Sequence, residues 1–167
     1  MNVPVSRGMT ILELLVVLAI LGILLALGVG NLRPDRVAVD QAAQILAAQV
    51  GRTRLEAIRN NTYAGLALIS SGSTYMGTSF PAGGYVVCLD INADSACGAG
   101  DQVLQQVRFG EGELSRVRLL AGSGVVWIGF DSRGMPRLTG AVTVNLSNAA
   151  GTYVRQLGIS VQGRASL

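Results

Sequence analysis

Hydrophobic and polar positions change period twice along this chain. From Met9 to Gly30 nearly every residue is apolar, "MTILELLVVLAILGILLALGVG", and Glu13 is the single charge. From Pro34 the pattern turns amphipathic. Val39, Ala43, Leu46, Val50, Thr53 and Ala57 recur at three- and four-residue steps and share one helix face, while Gln41, Arg52 and Arg59 point away. Gly28, Gly30 and Pro34 cluster between the two halves, which predicts a kink or local unwinding near Gly30–Pro34, because proline removes a helix hydrogen bond and crowds the preceding turn.

From Thr62 the helical period ends. Short β-rich runs follow at Tyr63–Ile69, Gly84–Leu89, Gln102–Phe109, Arg116–Leu120, Val125–Phe130, Ala141–Leu146 and Tyr153–Val161, separated by turn residues. The pattern predicts an α+β fold: a long N-terminal helix, one half membrane-spanning and one half amphipathic, packed on a C-terminal antiparallel β domain.

Composition narrows the chemistry. All thirteen basic residues are Arg, and the chain has no Lys and no His. Without imidazole there is no Ser–His–Asp triad, no Cys–His pair and no His-ligated metal. The formal charge of +3 is too small to indicate nucleic acid by itself. Cys88 and Cys97 are the only cysteines. Two thiols nine residues apart make a poor zinc site, which needs four ligands. A disulfide fits better, and it implies an extracytoplasmic address.

The N-terminal run has three readings. A secretory signal peptide would be cut after "LALG" at Leu25–Gly28, but Glu13 opposes insertion of its apolar core. An ordinary transmembrane anchor would use the uncharged stretch Leu14–Gly30, at the lower edge of the roughly 17–25 residues that span a bilayer. Glu13 would be tolerated near its end but would have no purpose there. In the third reading, "RGMTILELLVVLAILGILLA" resembles the class III signal of type IV pilins and type II secretion pseudopilins. That resemblance implies a basic leader, residues 1–8, cut after Gly8 by a prepilin peptidase that also N-methylates Met9. Phe is commoner than Met at the first mature position. Glu13 then falls on the family's fifth mature residue. A carboxylate in an apolar filament core is expensive unless paired, and the cationic N-terminal amine of a neighbouring subunit would neutralise it and set the axial stagger.

Further resemblances extend along the chain. "TRLEAIRNNTYAGLAL", with Arg54, Glu56, Ala57, Ile58 and Asn61, resembles the GspH/FimT branch of minor pilins and pseudopilins. "GGYVVCLDINADSACGAGDQVLQQVRF" is similar to that family's central hairpin, and "WIGFDSRGMPR" and "LGISVQGRASL" to its closing landmarks. The implied organisation is a leader at 1–8, a transmembrane or filament-core helix at 9–32, an amphipathic helix at 33–61 and a β-rich head at 62–167. The implied function is that of a minor pilin or pseudopilin in the tip or shaft of a type IV pilus or type II secretion pseudopilus, and no catalytic constellation in the residues points to an enzyme. Its partners would be other pilins, the prepilin peptidase and, before assembly, the inner membrane, with the head in the periplasm.

Two binding readings stand beside this. In FimT-type relatives, C-terminal arginines are implicated in DNA uptake, and Arg133, Arg137, Arg155 and Arg164 are the corresponding candidates. The second Arg often seen after the final Gly-Arg is Ser166 here. Phosphate contacts need only exposed cationic donors; the alternative is a solvated basic face. In "DINADSACGAGD", Asp90, Asn92 and Asp94 match the first three ligand positions of a calcium loop and Asp101 the twelfth. Ser95 replaces the usual sixth-position Gly, however, and Asp and Asn are ordinary turn residues. Calcium is the one cofactor to weigh. Glu111 and Glu113 read as a solvated turn, and Trp127 as core or a subunit contact.

Overall fold

The computed structural model describes residues 10–30, 34–122 and 124–167, with no account of the side chains of residues 25–30. The leader, the cleavage point at Gly8 and Met9 therefore lie outside the described residues. So do residues 31–33, where the kink is expected.

The chain divides into two units, residues 1–34 and 35–167. In the first, helix α1 runs Ile11–Gly30, 20 residues with Glu13 in its opening turn. The backbone N–H of Glu13 donates to the Thr10 hydroxyl at 3.2 Å. Among the described residues no helix is long and apolar enough to cross a membrane, and the described side chains of α1 end at Leu24.

Helix α2 runs Pro34–Arg59, and all but its first residue belongs to the second unit. Proline costs nothing at the first helical position, where its missing N–H has no partner anyway, and Asp35 complements the helix dipole. At the other end, Asn61 takes a left-handed φ of 48°. The N–H of Thr62 reaches the Ala57 carbonyl and that of Asn61 the Ile58 carbonyl, both at 3.2 Å. These bonds close the helix in a Schellman turn.

Among the described residues eleven strands follow: β1 Tyr63–Ile69, β2 Ser73–Tyr75, β3 Thr78–Phe80, β4 Gly84–Asp90, β5 Gln102–Arg108, β6 Val117–Leu120, β7 Val125–Phe130, β8 Pro136–Arg137, β9 Val142–Asn148, β10 Val154–Ile159 and β11 Ala165–Ser166. They form a five-stranded antiparallel sheet in the order β5-β4-β1-β7-β8, a four-stranded sheet β11-β10-β9-β6 and the small hairpin β2-β3. The seven strands expected from the sequence are present, displaced by at most two residues at an end. The four unanticipated strands are two or three residues long, too short to show a period.

One core joins α2 to both sheets. Val39, Ala42, Ala43, Leu46, Val50 and Ala57 of α2 pack with Leu66 and Leu68 of β1, Tyr85 and Val87 of β4, and Ile128 and Phe130 of β7. From the smaller sheet come Val117, Leu119, Val144, Leu146 and Leu157. The predicted helix stripe is entirely buried, and Ala42 and Gln49 widen it. Thr53 remains inside because its hydroxyl donates to the Gln49 carbonyl at 2.8 Å.

The opposite face of the large sheet has its own cluster: Ala67, Ile69, Phe80, Val86, Cys88 and Cys97, flanked by Tyr75 and Trp127. There the Trp127 ring lies against Gly65, where an added Cβ would overlap it. Trp127 is thus partly buried packing on the sheet. Gly65→Ala should destabilise the head by about 1–3 kcal/mol through overpacking. In a Trp127→Ala background the same change should cost much less. Thermal unfolding of the four variants measures this coupling.

Candidate functional site

Charged and turn-forming groups gather at the end of the head where α2 finishes. Asp90 opposes Tyr63 in the β1–β4 register, and Phe130 opposes Ala64. The loops after β4 and β7 therefore share this end with the last turn of α2, and the loop after β10 joins them, its Gly163 lying against Phe130 and Pro136.

The loop after β4 is closed by the Cys88–Cys97 disulfide, whose Cα atoms lie 6.0 Å apart. Both half-cystines are buried. Inside it, Asp90, Asp94 and Asp101 bring carboxylate oxygens within 4.8 Å of one another. Every one of these oxygens already accepts a hydrogen bond. Asp90 takes the N–H groups of Asp94 and Ser95, each at 3.0 Å. Asp101 takes those of Ile91 at 2.9 Å and Gly98 at 2.8 Å. Asp94 takes the N–H of Ala96 and the side-chain amide of Asn92. Asn92 in turn accepts from the Asp94 N–H at 3.2 Å. A calcium ion here would share all three carboxylates with N–H donors. As it stands, the motif residues fold the loop as successive side-chain-capped turns.

Tyr75, from β2, completes the loop: its hydroxyl accepts the Cys97 N–H at 2.8 Å. Burial, aided by the nearby Asp94, Asp101 and Asp90 carboxylates, raises its pKa above the usual 10.0, against a lowering by the Cys97 hydrogen bond. A folded-state pKa raised above the unfolded value stabilises below the unfolded pKa and ceases to as pH climbs through the folded one. The Tyr75 contribution therefore fades above about pH 10.

The arginines divide. Among the described residues three ion pairs form: Arg108–Glu111 at 3.1 Å, Arg116–Asp35 at 2.7 Å and Arg155–Asp40 at 3.8 Å. Glu111 thus belongs to a solvated surface pair, the kind worth little. Arg155 stands beside Asp40, which also receives the Tyr153 hydroxyl at 2.9 Å. That site is fourteen residues up α2 from Arg54, about 21 Å at helical rise. Arg155 does not join the other three candidates.

Arg133, Arg137 and Arg164 are exposed at the common end. The Arg137 guanidinium lies 4.7 Å from the centre of the Tyr63 ring. Arg164 lines a groove of about 420 Å³ with Arg54, Met135, Pro136, Val161 and Gln162. Asp131 shapes one wall by accepting the N–H groups of Arg133 at 2.9 Å and Met135 at 2.8 Å. The same loop presses on α2 at Gly134, which has a φ of 74° and room for no Cβ, because one would meet Ile58 at 2.7 Å. The sequence reading missed Arg54 as a groove residue. The only signal was its exposed place near the end of α2.

Residues 42–163 match the family described as type II transport protein GspH, and residues 4–29 match the prokaryotic N-terminal methylation motif. The chain belongs to the GspH family of type IV pilin-like proteins. The pilin-like protein PilA1 of Thermus thermophilus is 43% identical over 164 residues, covering 96% of this chain and 97% of that one. Two crystal structures of the Pseudomonas aeruginosa type IV minor pilin FimU share the fold. Their TM-scores are 0.52 and 0.53 at 19% identity, over 77% and 79% of this chain and 90% and 89% of theirs. A GspH-family subunit is a structural protein, and its methylation motif implies membrane anchoring and prepilin-peptidase processing.

The disulfide loop yields a direct test. Asp90→Asn replaces an acceptor oxygen with an amide that faces N–H donors, which should cost about 1–3 kcal/mol. Chemical denaturation of the oxidised protein measures the loss. Asp94→Asn, at an exposed position, should cost less.

Proposed function

We propose that this chain is a minor pilin or pseudopilin, cut after Gly8, N-methylated at Met9 and incorporated into a filament through α1. The observation that carries the reading is the order of parts: a methylation motif over residues 4–29 directly ahead of a GspH region over 42–163. The head would lie on the far side of the inner membrane before assembly, an address that a buried disulfide suits. Glu13 sits in the first turn of an otherwise apolar helix. Its role would be to receive the N-terminal amine of the neighbouring subunit.

α2 supports assembly as well. Beyond the stripe buried in its own head it exposes Val37, Ile45 and Leu55, the last at 65%. Apolar groups on the outer face of a helix are suited to packing against a second subunit. The DNA-uptake reading has weaker support: Arg155 is offset by Asp40 and lies far from the groove, so the four arginines make no continuous phosphate track.

Mass spectrometry of the mature protein should find an N-methylated N-terminus at Met9. A start near Val29 would overturn the reading. Glu13→Ala should leave processing intact yet remove the protein from filaments, because an unpaired buried charge costs about 3–5 kcal/mol. Wild-type levels in sheared filaments would refute the pairing.

A further inference from the structure

We infer that the groove between Arg54 and Arg164 receives the disulfide loop of a second copy of this chain, Asp94 meeting the two guanidiniums and Ile91 the apolar floor. The inference rests on the filament reading above and names one of its head contacts.

Three observations lead here. The first is unspent charge: Arg54 and Arg164 take no part in the ion pairs among the described residues, although they face one groove. The second is the floor between them. Met135 is 58% exposed and Val161 46%, with Pro136 beside them. A phosphate backbone has no use for such a floor, whereas an apolar core inside an arginine rim is the anatomy of a protein interface. The third is a complementary surface on the same molecule. Ile91 is 60% exposed at the tip of the disulfide loop, and Asp94 is exposed three residues on.

Placement makes the contact one between copies. The acidic loop leaves β4 and the groove lies beside β8; in the sheet order β5-β4-β1-β7-β8 these are three strand spacings apart, roughly 14 Å. Among the described residues no ion pair joins the two patches within one head. They lie apart at the same end of the head, so loop and groove can meet between two heads side by side. Such a contact uses different surfaces on the two partners. It is heterologous, the kind that propagates into open helical assemblies when its rotation does not close a ring. The loop is suited to the task because its disulfide and its N–H bonds to Asp90 and Asp101 fix it before contact, lowering the ordering cost of binding.

The absence of lysine supplies the experiment. Arg164→Lys places the only lysine amine of the protein in the groove of the full-length chain. Filaments sheared from cells carrying this variant are treated with a water-soluble carbodiimide, which joins an amine to a carboxylate in contact. The expected product is a dimer in which position 164 of one copy is amide-linked to Asp94 of another. It should be absent from wild type and lost when Arg164→Lys is combined with Asp94→Asn or with Ile91→Ser, a change at an exposed position. Filaments that contain the variant but yield no dimer, or a link to another carboxylate, overturn the inference and leave the filament reading standing. A variant and wild type both absent from filaments overturn the two together. In parallel, full-length wild type and Arg54→Ala/Arg164→Ala are titrated with duplex DNA at low salt. Binding by wild type that the double variant loses would make the groove a nucleic-acid contact and overturn the inference as well.

Discussion

The head depends on one helix face. The buried stripe of α2, from Val39 through Leu46 and Val50 to Ala57, is the surface on which both sheets close. Each fully buried Leu or Val there contributes on the order of 1.5–3 kcal/mol. The small Ala residues matter in another way, letting the sheets approach the helix closely. The larger sheet covers the stripe with β1, β4 and β7, and the smaller one with β6, β9 and β10. Neither sheet has a core of its own on that side, so the helix is what makes them one body.

That arrangement sorts the loops. A helix followed immediately by the first strand puts the last turn of α2, the disulfide loop and the two late hairpin turns at one end. Charges at the other end answer each other: Asp35 with Arg116, Asp40 with Arg155 and with the Tyr153 hydroxyl. At the loop-bearing end they do not. The Asp90 and Asp101 carboxylates are occupied by backbone N–H groups, Asp94 is exposed, and Arg54, Arg133 and Arg164 pair with no acid among the described residues. Uncompensated charge beside exposed apolar side chains is the feature from which the contact between copies is proposed.

Much of this was determined by the sequence alone, because it rests on local physics. The leader Gly8, Glu13 and the apolar run announce the N-terminal signal. The three- and four-residue step from Val39 to Ala57 locates the buried face of α2, and alternation with turn residues locates the longer strands. Two cysteines nine residues apart in a chain without histidine suffice to expect the disulfide, which is present. Only tertiary structure decided the rest. Strands of two or three residues carry no period, and strand order is a matter of non-local pairing. The spacing of Asp90, Asn92, Asp94 and Asp101 reads equally as a calcium loop or as a turn, and only the positions of the N–H donors show where those oxygens are spent. Arg133, Arg137, Arg155 and Arg164 look alike along the chain. Folding sets Arg155 beside Asp40 and brings Arg164 to Arg54, which is 110 residues away in sequence. Charge is a local property of a residue, but whether it is neutralised depends on what the fold puts next to it.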